Sequence, residues 1–248
     1  MSTARSALRT LAASAAIWLP ASASAQATQY PLTSTSGLRL HNVTAQPVTY
    51  KGKRGLRVVV DTARLRERAA AAGQPDTPPL AMLALIDGVE FSSGVIEAEI
   101  AGAPAPGAPE SARGFVGLAF RVRPDLATYD AFYLRPTNGR AEDQERRNHA
   151  AQYISHPDWP WFRLRRETPS RYEAYVDLVA GEWTRVRIEV HGNRARLYVH
   201  GHEQPTLIVN DVKSGASGRG GVALWTEPGT VAHFRNLTVT PEPAAAKP

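Results

Sequence analysis

Apolar and polar residues alternate in short runs along most of this chain. In 94–100, Ile96, Ala98 and Ile100 fall on one side while Val95, Glu97 and Glu99 fall on the other, the period of two that a half-buried strand requires. In 115–122 the same period puts Val116, Leu118, Phe120 and Val122 inward and Phe115, Gly117, Ala119 and Arg121 outward. In 130–135 it puts Phe132 and Leu134 inward and Tyr133 and Arg135 outward, and in 221–225 Val222 and Leu224 oppose Gly221, Ala223 and Trp225. Similar runs occupy 38–43, 56–60, 82–86, 151–155, 172–178, 184–190, 195–199, 206–209 and 232–240. About a dozen short strands need two sheets to bury their apolar faces, which predicts an all-β antiparallel sandwich of the jelly-roll kind. The predicted core is Ile96, Ala98, Ile100, Leu118, Phe120, Phe132, Leu134, Val186, Ile188, Leu197, Val222 and Leu224. The small residues, aromatics, arginines and acids left on outer positions could together line a concave face.

Two segments break the pattern. Asp61 followed by Arg, Leu, Glu and Ala, and stopped by Gly73 and Pro75, predicts a short surface helix or an unstructured loop over 61–72. At the start, Arg5 and Arg9 precede an apolar run, 10–19, that ends in Pro20 and alternating alanine and serine. That run falls short of the ~20 residues needed to span a membrane, and Ala23 and Ala25 suit a cleavage site before Gln26. The sequence therefore predicts a signal peptide over 1–25, one domain over 26–241 and a loose Pro-Ala tail over 242–248. The mature chain is expected in the periplasm or outside the cell, with no membrane insertion after cleavage.

Composition removes whole classes of chemistry. The 248 residues include no cysteine, which rules out disulfides, thiolate nucleophiles and cysteine-ligated metals. The formal charge of +6 includes Arg5 and Arg9. Bases otherwise alternate with acids, so nucleic acid is not an expected partner. No HExxH or comparable spacing occurs; no metal or cofactor is called for, though a loosely held calcium ion is not excluded. Oligomeric state is not legible.

The densest polar block runs from Tyr133 and Arg135 through Asn138, Arg140, Asp143, His149, Gln152, Tyr153 and His156 to Trp159, Trp161 and Arg163. Planar bidentate groups suit sugar hydroxyls, and indole or phenol rings suit the C–H face of a pyranose. The competing reading is a solvated loop with tryptophans plugging one end of the sandwich.

Several motifs carry a resemblance: Arg135-Pro-Thr-Asn-Gly-Arg140, Asn148-His149 through Gln152-Tyr153-Ile-Ser-His156, Tyr172-Glu-Ala-Tyr-Val-Asp-Leu178, Gly181-Glu-Trp183, Ala195-Arg-Leu-Tyr-Val199, Val209-Asn-Asp211 and Gly221-Val-Ala-Leu-Trp225. Over roughly 83–240 the chain resembles the concanavalin A-like lectin/glucanase superfamily, and within it the exported bacterial domains named after 3-keto-disaccharide hydrolases. The resemblance implies a two-sheet jelly roll with a concave carbohydrate face, and glycans or oxidised disaccharides as ligands. The Glu-x-Asp-x-x-Glu strand of the glucanases is absent, as are the clustered Asp and Asn ligands of metal-binding lectins, so no catalytic role is carried over.

The residues themselves offer two sets of proton carriers. Glu97 and Glu99 are ~7 Å apart at Cβ on one strand face, a spacing that overlaps glycosidase carboxylate pairs; the plainer reading pairs them with arginines. His149 and His156 titrate near neutrality and could remove the acidified C–H beside a 3-keto group. Substrate-binding candidates are Arg121, Tyr133, Arg135, Asn138, Gln152, Tyr153 and Trp225. Alternation predicts that Tyr133, Arg135 and Trp225 share a face with Glu97, Glu99 and Arg121, and that Asn138, His149, Gln152, Tyr153 and His156 converge on it. Three functions compete: a carbohydrate-active protein that binds and cleaves a glycosidic bond, a lectin-like module that only binds, and an envelope protein whose concave face docks another protein.

Overall fold

The computed structural model describes residues 26–72 and 81–242. The predicted signal peptide and all but the first residue of the predicted tail lie outside them. In chain order the elements are β1 (Thr28–Tyr30), β2 (Leu38–His41), β3 (Val43–Tyr50), β4 (Lys53–Val60), α1 (Thr62–Ala72), β5 (Leu83–Ile86), β6 (Gly94–Pro104), β7 (Val116–Val122) and β8 (Tyr129–Leu134). There follow α2 (Gln144–Asn148), β9 (Ala151–His156), α3 (Trp161–Glu167), β10 (Glu173–Ala174), β11 (Thr184–His191), β12 (Arg194–Val199), β13 (Leu207–Val209), β14 (Gly221–Thr226) and β15 (Thr230–Pro241).

Two antiparallel sheets form. The eight-stranded sheet runs β13-β12-β11-β6-β15-β4-β3, with β1 also on β15; the seven-stranded sheet runs β10-β9-β8-β7-β14-β5-β2. The predicted jelly-roll sandwich is the observed architecture, and all twelve predicted core residues are at most 3% exposed. Helix 61–72 forms, with the Asp61 carboxylate accepting from the Arg64 amide at 3.0 Å as an N-cap.

The differences have local causes. β3 was not among the predicted runs beyond residue 43; it contains Pro47 and lies at the edge of its sheet, the position in which a strand tolerates proline. Only Glu173 and Ala174 of the predicted strand 172–178 pair with a neighbour. Helices α2 and α3 fall in what reads as loop.

The largest difference is burial. β7 and β8 are buried on both faces, whereas β11 alternates as an ordinary half-buried strand. The outer face of the seven-stranded sheet is covered, and the outer face of the eight-stranded sheet is open.

Candidate functional site

The pleat of the seven-stranded sheet sets one row of cross-strand neighbours across its full width on the outer face: His41, Leu83, Trp225, Gly117, Tyr133, Gln152 and Glu173. Gly117 is the centre of the row. With no side chain there, Tyr133 and Trp225 from the flanking strands meet over it and stack, ring centroids 4.5 Å apart. A Cβ at Gly117 would lie 2.3 Å from the Phe132 carbonyl oxygen and 2.5 Å from the Tyr133 Cβ. The next row is Leu85, Ala223, Ala119, Ala131 and Ile154. Beyond the small alanines the indole N–H of Trp225 donates to the Tyr129 hydroxyl at 3.2 Å, and Tyr129 stacks on His156 at 4.7 Å.

Arg135 follows β8 and gathers the polar end of this face. Its Nη2 donates to the Tyr133 hydroxyl at 2.9 Å and to Gln152 Oε1 at 3.1 Å, and its Nη1 donates to the His149 carbonyl at 2.9 Å and to Glu173 Oε1 at 3.4 Å. The guanidinium also lies 5.1 Å from the Tyr133 ring centroid, 5.7 Å from Trp161 and 5.9 Å from Phe115, within the reach of a cation–π contact. Glu173, on the short β10, accepts from Arg165 through both Nε and Nη2. His149 Nδ1 lies 2.9 Å from Glu173 Oε2 without the alignment of a hydrogen bond. Burial, which disfavours the imidazolium, holds His149 below its ordinary pKa despite the Glu173 charge. Asn138 donates to the same His149 carbonyl as Arg135, at 3.2 Å.

The exposed part of the cluster is aromatic. Trp161 opens α3 and is 42% exposed, and Phe162 beside it is 53% exposed. Trp161 rests on two guanidinium groups, Arg135 beneath and Arg165 at 4.7 Å. Immediately past β14, the half-buried Glu227 has its carboxyl pushed up to about 7 by burial, against the pull of the Arg135 charge.

Of the expected residues, Tyr133, Arg135, Trp225, Asn138, His149 and Gln152 do come together. Others do not, and each for a physical reason. Glu97 and Glu99 lie on β6, in the other sheet, and face away on the opposite side of the molecule. There Arg185 pairs with Glu97 at 3.2 Å, and Lys53 at 2.9 Å and Arg235 at 3.7 Å pair with Glu99. Arg121 is the extra residue of a β-bulge, with φ of 55° and a register shift opposite. It is 1% exposed and bonded to three loops. Tyr153 follows Gln152 in one strand and so points to the other face, where its hydroxyl is 2.5 Å from the buried Asp130. His156 is on the outer face but at the far end of β9 from His149. Tyr133 and Trp225, expected to stack on a ligand ring, are 2% exposed and stack on each other.

Sequence reasoning missed Glu173, Arg165 and Glu227. Glu227 had a signal, since it stands two positions after Trp225 and thus on the same face. Glu173 had none, because the run around it pairs over only two residues. Among the described residues no group of three His, Asp or Glu is placed to hold a metal ion, and no helix is long and apolar enough to cross a membrane.

No family model matches the chain, and no curated protein matches it. Solved structures do. The chain is similar to a Bacillus subtilis protein of unknown function with a galectin-like fold, at 12% identity over 86% of this chain and 94% of that one, with a TM-score of 0.51. It is also similar to the carbohydrate-binding module CBM66 from Bacillus subtilis, at 12% identity over 82% and 98% of the two chains, with a TM-score of 0.48. The likeness to the galectin-like structure shows the fold alone, a two-sheet antiparallel jelly roll.

Proposed function

We propose that the chain binds a glycan at the end of its seven-stranded sheet, where Trp161 stands exposed above Arg135, Glu173 and His149. The observation that carries this reading is the exposed indole held on two guanidinium groups. It offers a flat apolar face for a pyranose ring beside fixed donors and acceptors for its hydroxyls. Tyr133, Trp225 and Gln152 form the buried floor that fixes Arg135, and they touch no ligand themselves. The galectin-like likeness supports the scaffold alone, so the reading rests on the chemistry of the site.

A second reading, cleavage of the bound glycan, is favoured by Glu227, because a carboxyl with a pKa of about 7 is half protonated at neutral pH and can donate to a leaving oxygen. Export through residues 1–25 belongs to the same proposal.

Calorimetry against a panel of glycosides and their 3-keto forms tests binding, and product analysis of the same mixtures tests cleavage. Trp161→Ala should weaken binding about tenfold with an unchanged melting temperature. Glu227→Gln should abolish turnover and leave binding intact. Absence of any binding at millimolar sugar would overturn the glycan reading, and binding without turnover by the unaltered chain would leave a lectin-like module.

A further inference from the structure

Exposed aromatic rings are confined to one part of this molecule. Among the described residues, the phenylalanines, tyrosines and tryptophans that stand exposed are Trp161, Phe162 and Tyr175. Trp161 and Phe162 open the helix whose Arg165 holds Glu173, and Tyr175 stands two residues beyond Glu173. The first two belong to the site already described, and Tyr175, 44% exposed, has no part in it so far.

Past the two paired residues of β10, burial goes on alternating. Val176 and Leu178 join the core, while Tyr175, Asp177 and Val179 are exposed. Tyr175 therefore points to the same side as Glu173, one pleat repeat or about 6.8 Å further along the chain. Side chains from 140–149 meet this segment in order. His149 lies against Glu173 at 2.9 Å. Arg147, on α2, donates to the Tyr175 hydroxyl at 3.0 Å and lies 5.0 Å from its ring centroid. Arg140 clasps Asp177 through two bonds, at 2.7 and 2.9 Å. Three successive outward positions are thus each fixed by the same neighbouring turn, and Arg165 ties the first of them to Trp161.

Tyr175 is held as Trp161 is, with a guanidinium on the ring and the ring still open to solvent. Rings fixed in advance lose little freedom when a ligand settles on them. The groups between the two rings are ionic, so the rings do not merge into the contiguous apolar patch that forms the core of a protein interface. A glycan chain has the matching pattern, because apolar ring faces alternate along it with hydroxyl-bearing linkages.

The geometry points to an extended site for an oligosaccharide, in which Trp161 and Tyr175 hold different rings of one chain laid along 173–177 and the Arg140–Asp177 pair bonds its hydroxyls. This rests on the glycan reading above and names the ligand class as a chain and not a single sugar.

The test is calorimetry with cello-, laminari-, xylo- and malto-oligosaccharides of increasing length. Within the series that binds, affinity should rise by at least about tenfold at the length that first reaches Tyr175 and then level off. Tyr175→Ala should remove that step, leave the shorter members unchanged and keep the melting temperature, and Tyr175→Phe, which keeps the ring, should keep most of the step. Trp161→Ala should weaken short and long members alike. Affinity independent of length, a step that survives Tyr175→Ala, or an equal loss for short and long members in that variant would overturn the extended site while glycan binding stands. No binding of any saccharide would overturn the reading beneath it.

Discussion

Arg121 gives the sharpest separation between a binding role and a structural one. Its Nε and Nη2 both donate to the Ser92 carbonyl, Nη2 also to Gly192, and Nη1 to Gly215 and to the Ser214 hydroxyl, all between 2.6 and 2.9 Å. Every donor is used, at 1% exposure, and the charge faces Asp130, whose pKa burial raises and Arg121 opposes. Truncation to alanine removes five bonds at a net ~1 kcal/mol each. Water entering the space recovers part of that, so a loss of about 3–5 kcal/mol is expected, the range for breaking a buried charged pair. In a domain of this size that lowers the melting temperature by roughly 6–20 °C. Thermal unfolding by circular dichroism reads the loss, and glycan calorimetry well below the transition reads function. Arg121→Ala should be strongly destabilised yet bind with normal affinity where folded. Arg121→Lys should recover little, because one ammonium cannot span three loops. An unchanged melt with lost binding would overturn the structural role and return Arg121 to the ligand.

Other expectations follow from the same contacts. Gly117→Ala should destabilise by about 1–3 kcal/mol through overpacking and shift the near-ultraviolet signal of the Tyr133–Trp225 pair; a wild-type melt would show that the strands have room for a Cβ. His233 stacks on Tyr50 at 3.8 Å, and burial first, then Arg57, holds its pKa to about 4. The unfolded chain, with its imidazole near 6.5, takes up a proton that the folded one refuses. Stability from this residue is therefore complete above about 6.5 and falls with pH toward 4. Melts at successive pH values should show that slope in the unaltered chain and a shallower one in His233→Gln, and equal slopes would contradict it. Intact mass of the secreted product should begin at Gln26, and a product retaining residues 1–25 would contradict export by cleavage.

Part of the site was readable because strand alternation is local. Tyr133, Arg135 and Trp225 were placed on one face by period alone, and the cross-strand row through Gly117 holds Tyr133 and Trp225 together, with Arg135 bonded to the Tyr133 hydroxyl. The mistakes lie where one residue breaks the count or counts twice. Arg121 sits in a bulge that turns its side chain out of the sequence, and naming both Gln152 and Tyr153 asked adjacent residues to face the same way. Trp161 was seen as an aromatic in a polar block, but its exposure comes from α3, a helix with no capping side chain to announce it.

The sequence by itself determined that this chain is a two-sheet sandwich, which residues fill its core, and that cysteine chemistry plays no part. Those are consequences of period, composition and burial, which act over a few residues. Only the tertiary structure decided which strands share a sheet. Every strand of a sandwich has an outward face, and the outward faces of its two sheets point in opposite directions. Alternation therefore gave Glu97 and Tyr133 the same label, and the pairing of β6 with β11 and β15 put them on opposite sides of the molecule. The gathering of Arg135, His149 and Arg165 around Glu173 belongs to the same level, because it depends on which strand ends and turns the fold brings together.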